Sequence, residues 1–324
     1  PGDHLVITRI EHNSVLRPAN LLERDLGVAV TRVGHDGAGY VDPDQIRMAI
    51  TPKTRAVIVN HASNVLGSLQ DIEAIGRVVG DTQAVLVLDT CQTAGVTPVE
   101  MDAWGIDVLV FTGHKGLFGP MGVGGMIVSD GVEIRPTRVG GSGANSLSPL
   151  QPEDYPCRLE AGTPPLPGIA GLAAAQGWFA ELGCAQPNNQ RTALSHHDAC
   201  LAAVDHIAAG ERDHVNRLIQ VFDGLDTVTI HGPRNNQPRV ATLSVAFDGL
   251  PSNQVAAILD RDHGICVRAG FHCAPLVHED EGTINDHGLV RFSPGYFTDE
   301  EDMDRVIEAV SQVDKFAAIR QSGA

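Results

Sequence analysis

The chain has 324 residues, of which 43% are hydrophobic, 19% charged and only 4% aromatic, with 35 glycines. That length allows a large core and about two domains, and the mix belongs to a turn-rich α/β protein rather than a disordered or fibrous one. A formal net charge of −17 without a visible basic patch excludes nucleic acid and anionic membrane surfaces as partners, and no run nears the ~18 apolar residues of a membrane span.

The start, Pro1-Gly2-Asp3, lacks the basic and apolar regions of a secretory leader and reads as a processed or truncated beginning. "HLVITRIEHNSV" is strand-like and then turn-like. "VDPDQIRMAI" places a helix start at Asp42 or Pro43, with Ile46 and Ile50 four residues apart on one face. "RAVIVNHASN" is a short β-branched run ending in polar residues, "DIEAIGRVVGD" an amphipathic helix, "AVLVLDTCQ" a second buried strand and "IDVLVFTGHK" a third. Strands alternating with helices predict an α/β fold with a mostly parallel sheet, covered on both faces, whose ligand site lies at the strands' carboxyl ends. Polar residues collect there: His61 and Asn64, then Asp89 and Gln92, then Thr112, His114 and Lys115.

Residues 1–182 therefore read as a large domain, and from about 183 the pattern changes. Residues 195–222 predict one long helix that Gly210 interrupts. Strands "TVTIHG" and "RVATLSVAFDG", a helix "SNQVAAILDRD", strands "ICVRAG" and "LVRFSPGYF" and a terminal helix "DEEDMDRVIEAVSQV" follow. Helices segregated from an antiparallel sheet make residues 183–324 a smaller α+β domain.

In "VLVFTGHKGLFGPMGVGG", Lys115 precedes its glycines, so the Walker spacing, which puts the lysine after them, fails. Two readings stay open for the segment alone: a strand-turn-strand hairpin whose lysine reaches water, and a site lysine. Asp89 ends an apolar strand, where a carboxylate needs a partner. Either it forms a structural ion pair with Lys115, or the two serve pyridoxal phosphate, the aspartate at the pyridinium nitrogen and the lysine as Schiff base. In the second reading Gln92 donates to the cofactor's phenolic oxygen, and Thr112 and His114 bind its phosphate.

Six ordered segments, "IEHNSVLRP", "NHASNVLGSLQDI", "DTCQTAGVTPVEMDAWGIDVLVFTGHKGLFGPMGVGG", "RLEAGTPPLPGIAGL", "VRAGFHCAP" and "VRFSPGYFTDEED", resemble the cysteine desulfurases and related members of the class V aminotransferase group. The resemblance spans essentially the whole chain. It implies a pyridoxal phosphate fold of the aspartate aminotransferase type, working as a homodimer, and the six cysteines without a Cys-x-x-Cys pair point to the cytoplasm. By resemblance Lys115 is the Schiff-base lysine, Asp89 the pyridinium partner and His12 the imidazole stacked on the ring. Cys91 takes the place of a small residue beneath the ring. Asn64 and Arg291 hold the substrate carboxylate, and Thr163 reaches the phosphate of the partner subunit's cofactor. The family begins some sixty or more residues upstream, in a segment with a glycine-rich phosphate turn.

Cys273, in "RAGFHCAP", is the discriminating residue. A lone cysteine is most often a buried small hydrophobe. Here Gly270 predicts a flexible turn, and His272 and Arg268 supply positive potential that favours a thiolate, matching the loop cysteine that attacks substrate sulfur in the desulfurases. The implied reaction turns L-cysteine into L-alanine with a persulfide on Cys273, for passage to a sulfur-acceptor protein. L-selenocysteine lyase, another class V lyase or transaminase, and a non-catalytic truncated remnant are the alternatives. The other cysteines, at 91, 157, 184, 200 and 266, contain no Cys-x-x-Cys pair and read as reduced structural thiols. "HEDEGTINDH" lacks metal-ligand spacing and reads as a solvated acidic stretch, so no metal is expected. Most of the fourteen histidines, including His196 and His197, read as surface residues.

Overall fold

The computed structural model describes residues 2–187, 194–234 and 236–321, so Pro1 of the N-terminal reading lies outside it. Six strands, β1 (His4–Thr8), β2 (Ala29–Val33), β3 (Thr54–Asn60), β4 (Val85–Asp89), β5 (Val108–Thr112) and β6 (Gly124–Val128), form the larger sheet in the order β2-β1-β3-β4-β5-β6. All neighbours run parallel except β5 and β6, which are antiparallel. The mostly parallel sheet and the hairpin around Lys115 are thus both present. The inner strands are apolar runs because both faces are covered: Val6, Ile7, Val57, Val59, Leu86 and Leu88 are fully buried. The β6 edge departs from that expectation, leaving Met126 and Ile127 45% and 52% exposed.

Helix α2 (Pro43–Ala49) starts where the sequence places it, with the Asp42 carboxylate accepting the Asp44 N–H and Pro43 in the first turn, where no backbone donor is needed. In α3 (Ile72–Gly80) Asp71 caps the Ala74 N–H, and Ile72, Ile75, Val78 and Val79 enter the core of the larger sheet. The turn-like reading after β1 is corrected: α1 runs Asn13–Leu26 and contains Pro18.

Helices α4 (Leu166–Cys184) and α5 (His196–Phe222) pack on each other so closely that a Cβ at Gly183 would meet Ala199 O at 1.8 Å. Gly210 does not interrupt α5, which continues for 27 residues. The smaller sheet has the order β7-β8-β10-β9, antiparallel throughout, from β7 (Val228–His231), β8 (Leu243–Phe247), β9 (Arg268–Gly270) and β10 (Leu289–Phe292). Helices α6 (Ser252–His263) and α8 (Glu300–Gln321) join its core through Val255, Leu259, Met303 and Val310. A short helix absent from the sequence reading, α7 (Pro275–Asp280), packs Val277 into the larger sheet's core. It thereby sets the 271–274 loop over the carboxyl ends of β1 and β3.

Candidate active site

Each side chain at this edge is positioned by where its strand stops. Asp89 is the last residue of β4 and 9% exposed, and its Oδ1 accepts the Cys91 N–H at 2.8 Å. Lys115 follows β5 on an exposed turn and makes no ion pair with Asp89 among the described residues, which removes the structural-pair reading. His12 caps α1; its Nδ1 accepts the Ser14 N–H at 3.1 Å, which leaves the proton on Nε2. Burial, then the Lys115 charge, lowers the His12 pKa, with Asp89 opposing. A neutral imidazole stands between a cation and an anion. The Cys91 thiol is pushed up to about 12, by burial first and then by Asp89, so it stays protonated.

The second half of the site comes from the smaller sheet. Arg268 and Arg291 are direct partners in the β9–β10 ladder, and neither meets a carboxylate among the described residues. Like charges opposite each other on adjacent strands are destabilising, and burial, then Arg268, lowers the Arg291 pKa. Arg291 Nη1 donates to Asn64 O at 2.9 Å, while its Nε and the buried Asn64 Oδ1 have no partner. Cations that meet no carboxylate, one of them with an orphaned donor at Arg291 Nε, suit an anion.

Cys273 is half-buried beside them, its Sγ accepting from Arg268 Nη2 at 3.8 Å. His272 and Cys273 both hold positive φ, 48° and 60°, conformations that cost about 1–3 kcal/mol each in non-glycine residues. Two bonds fix the loop there: Asn64 Nδ2 to His272 O at 2.6 Å, and the Asn13 N–H to Cys273 O at 2.7 Å. Two expectations are corrected. Gly270 is no flexible turn, since it pairs with Leu289 and lets Gly288 approach it closely. His272 supplies no charge, because burial, then Arg291, lowers its pKa to about 3.

Gln92, Lys115, His12, Asn64, Arg268 and Arg291 line one cleft of ≈ 360 Å³. Thr112 and His114 are outside that lining and bond to each other at 2.8 Å. Thr163 is exposed on the segment before α4, away from the cleft. The glycines after Lys115 serve close packing: a Cβ at Gly116 would meet Val96 Cγ2 at 2.5 Å, and one at Gly119 Leu172 Cδ1 at 2.8 Å. Two acidic residues escaped the sequence reading. Glu211 of α5 lines the cleft, its pKa raised to about 7 by burial, and nothing in its helical context marks it. Glu11 is fully buried; its place straight after an apolar run was the available signal. The acidic stretch 278–287 is only partly solvated, as His278 and Thr283 are buried. So are His4, His61 and His272 among the histidines.

The residues fit pyridoxal phosphate at its ring and substrate ends. A buried acid, an imidazole and a lysine without a carboxylate partner suit the ring nitrogen, ring face and aldehyde, and the orphaned Arg291 Nε is a donor suited to an anionic group.

Sheet order and crossover helices, with an aspartate ending one inner strand and a lysine following the next, define an α/β protein of the aspartate-aminotransferase type. The aminotransferase class-V model matches residues 1–201 and 200–306, and the chain belongs to that family. It is 32% identical over 316 residues to a probable cysteine desulfurase of Methanothermobacter thermautotrophicus, covering 96% of this chain and 73% of the relative. The apo cysteine desulfurase of Thermococcus onnurineus superposes with a TM-score of 0.81 at 30% identity, over 97% of this chain and 73% of that one. The Escherichia coli desulfurase CsdA gives 0.82 at 23% identity, over 98% and 73%, a likeness of fold. The expected membership of the cysteine desulfurase and class V group is borne out.

Proposed function

We propose that the chain is a pyridoxal phosphate-dependent cysteine desulfurase that converts L-cysteine to L-alanine and receives the sulfur on Cys273. The observation that carries this is the placing of a cysteine thiol beside Arg268 and Arg291, two cations that line one cleft with Lys115 and meet no carboxylate among the described residues. When bound, the cofactor supplies an electron sink for the pair released from the substrate Cα–H bond.

The protein's own groups do the rest. Arg291 and Asn64 grip the substrate carboxylate. Lys115 Nζ would hold the cofactor before substrate arrives and then move the Cα proton. Asp89 would keep the ring nitrogen protonated, and His12 would orient the ring, with Nε2–H as a donor. Gln92 would hold the phenolic oxygen, and Thr112 and His114 the phosphate. Cys91 would pack against the ring as a thiol. Cys273 Sγ attacks the substrate sulfur: an S–S bond forms, the Cβ–S bond breaks with its electron pair left on carbon, and a proton completes alanine. Arg268 holds Sγ in line. Selenocysteine suits the same parts.

A homodimer is supported by the exposed apolar Leu147, Met121 and Leu150, at 99%, 85% and 77% exposure, and by the exposure of Thr163, assigned to the partner's phosphate. The free state of all six cysteines supports a reducing cytoplasmic compartment, and a sulfur-acceptor protein would meet the half-exposed Cys273. The test is a mass spectrum after L-cysteine without reductant. Wild type and Cys91→Ala gain one sulfur on the Cys273 peptide; Cys273→Ala binds cofactor and gains none. Full alanine production by Cys273→Ala would replace the reading with a lyase that uses no enzyme thiol.

A further inference from the structure

Glu11 lies where the chain leaves β1 for α1, and its side chain is wholly shielded from solvent. Oε1 accepts two hydrogen bonds, from Thr8 Oγ1 at 2.6 Å and from the Asn60 N–H at 2.8 Å. The second replaces a ladder bond. β1 pairs with β3 as far as Ile7 opposite Ile58, and where β1 turns away the carboxyl takes the N–H that a further strand carbonyl would have taken. Asn60 stands opposite Asp89 in the β3–β4 ladder, and the His61 N–H donates to Asp89 O at 3.0 Å. Glu11 thus closes the sheet directly behind the aspartate.

Oε2 is buried with no partner, and the charged group facing the side chain is Asp89. An ionised carboxylate with one oxygen unsolvated, beside a second carboxylate, is the unfavourable form. Burial, with Asp89 adding to it against the Thr8 and Asn60 bonds, pushes the Glu11 carboxyl up to about 8.

We propose that Glu11 is a positioning residue acting as a neutral carboxylic acid: it closes the β1–β3 ladder behind Asp89 and, uncharged, leaves Asp89 as the carboxylate charge presented to the site. This rests on the reading of Asp89 as partner of the cofactor's ring nitrogen. The neutral form explains why two acids share one dry corner without a cation between them. It also means that glutamine can replace Glu11, keeping an oxygen for Thr8 and Asn60, whereas alanine strands the Asn60 N–H.

The experiment uses the full chain with and without pyridoxal phosphate. The infrared difference between wild type and Glu11→Gln, near neutral pH, should contain the C=O stretch of a protonated carboxyl. Titrated with pyridoxal phosphate and followed by its visible band, Glu11→Gln should bind within about twofold of wild type, and Glu11→Ala about tenfold more weakly, the effect of one buried hydrogen bond lost. A missing carboxyl stretch, or a Glu11→Gln that falls as far as Glu11→Ala, overturns the proposal. Should Glu11→Ala not fold, the infrared band and Glu11→Gln decide. An Asp89→Asn variant that forms alanine at the wild-type rate would remove the reading of Asp89 alone, since the infrared result on Glu11 does not depend on it.

Discussion

Arg268 and Arg291 face each other across the β9–β10 ladder, and the anion that would balance them is not a side chain of the described residues. In the proposed reading their pairing makes a carboxylate receptor: Arg291 is anchored on Asn64 O through one nitrogen and its Nε is without a partner among the described residues. Lysine offers a point charge and cannot reproduce two parallel hydrogen bonds. Arg291→Lys should therefore raise KM for cysteine about tenfold or more while kcat changes less, the pattern of lost ground-state binding. Steady-state alanine formation with cofactor content held equal measures it, and an unchanged KM would move the carboxylate clamp elsewhere.

Asp89→Asn separates charge from shape. The amide oxygen still accepts the Cys91 N–H, so the strand end keeps its geometry. What disappears is the negative charge proposed for the ring nitrogen, an electrostatic contribution that in active sites is commonly worth about 100-fold or more in kcat. Cofactor should be retained and alanine formation should fall by that order. Rates near wild type would count against the electron-sink role.

Lys115→Ala should lose the visible band of lysine-bound cofactor and all turnover, because Lys115 is the lysine lining the cleft. Reduction of the wild type with borohydride, followed by peptide mapping, should place the cofactor on Lys115. A band that survives in the variant unchanged would reassign the lysine.

The parts of the fold that were legible in the sequence are those where one local rule dominates. Apolar runs such as "AVLVLD" marked the inner strands, Asp42 announced α2 because its carboxylate is the cap, and the amphipathic pattern of "DIEAIGRVVGD" announced α3. Helix α1 was hidden for the opposite reason. Its cap is His12, outside the usual capping set, and Pro18 lies inside it. The tertiary contact that holds this helix, the Asn13 N–H on Cys273 O, spans 260 residues of sequence and has no local signature. The same limit applies at the site. Asp89, Lys115 and Asn64 sit at strand ends and could be found from pattern, while the neutrality of His272 depends on burial and on Arg291, which only the folded chain brings together. Edge strand β2 alternates between exposed and half-buried residues and gave too short an apolar run to read.

Buried titratable groups predict a two-sided pH dependence of stability. Burial lowers His61 and His278 to about 4 and His272 to about 3, from an ordinary value of 6.5. Between those values the unfolded chain binds more protons than the folded one, so their contribution is present above pH 6.5 and is lost as pH falls toward 4 and 3. Glu11 and Glu211 act with the opposite sign. Their folded values, about 8 and about 7, lie above the ordinary 4.5, so their contribution is present below 4.5 and is lost as pH rises through 7 and 8. Melting temperature should therefore pass through a maximum between the two limbs. Each group removed from a limb should flatten it by up to about 1.4 kcal/mol per pH unit. His278→Asn keeps a polar atom for Thr283 Oγ1, the present Nδ1 partner at 2.7 Å, and should flatten the acid limb only. Glu11→Gln should flatten the alkaline limb only. Melting curves of the three proteins across the range are the measurement, and an alkaline limb that keeps its full slope in Glu11→Gln would show that Glu11 does not gain its proton on folding.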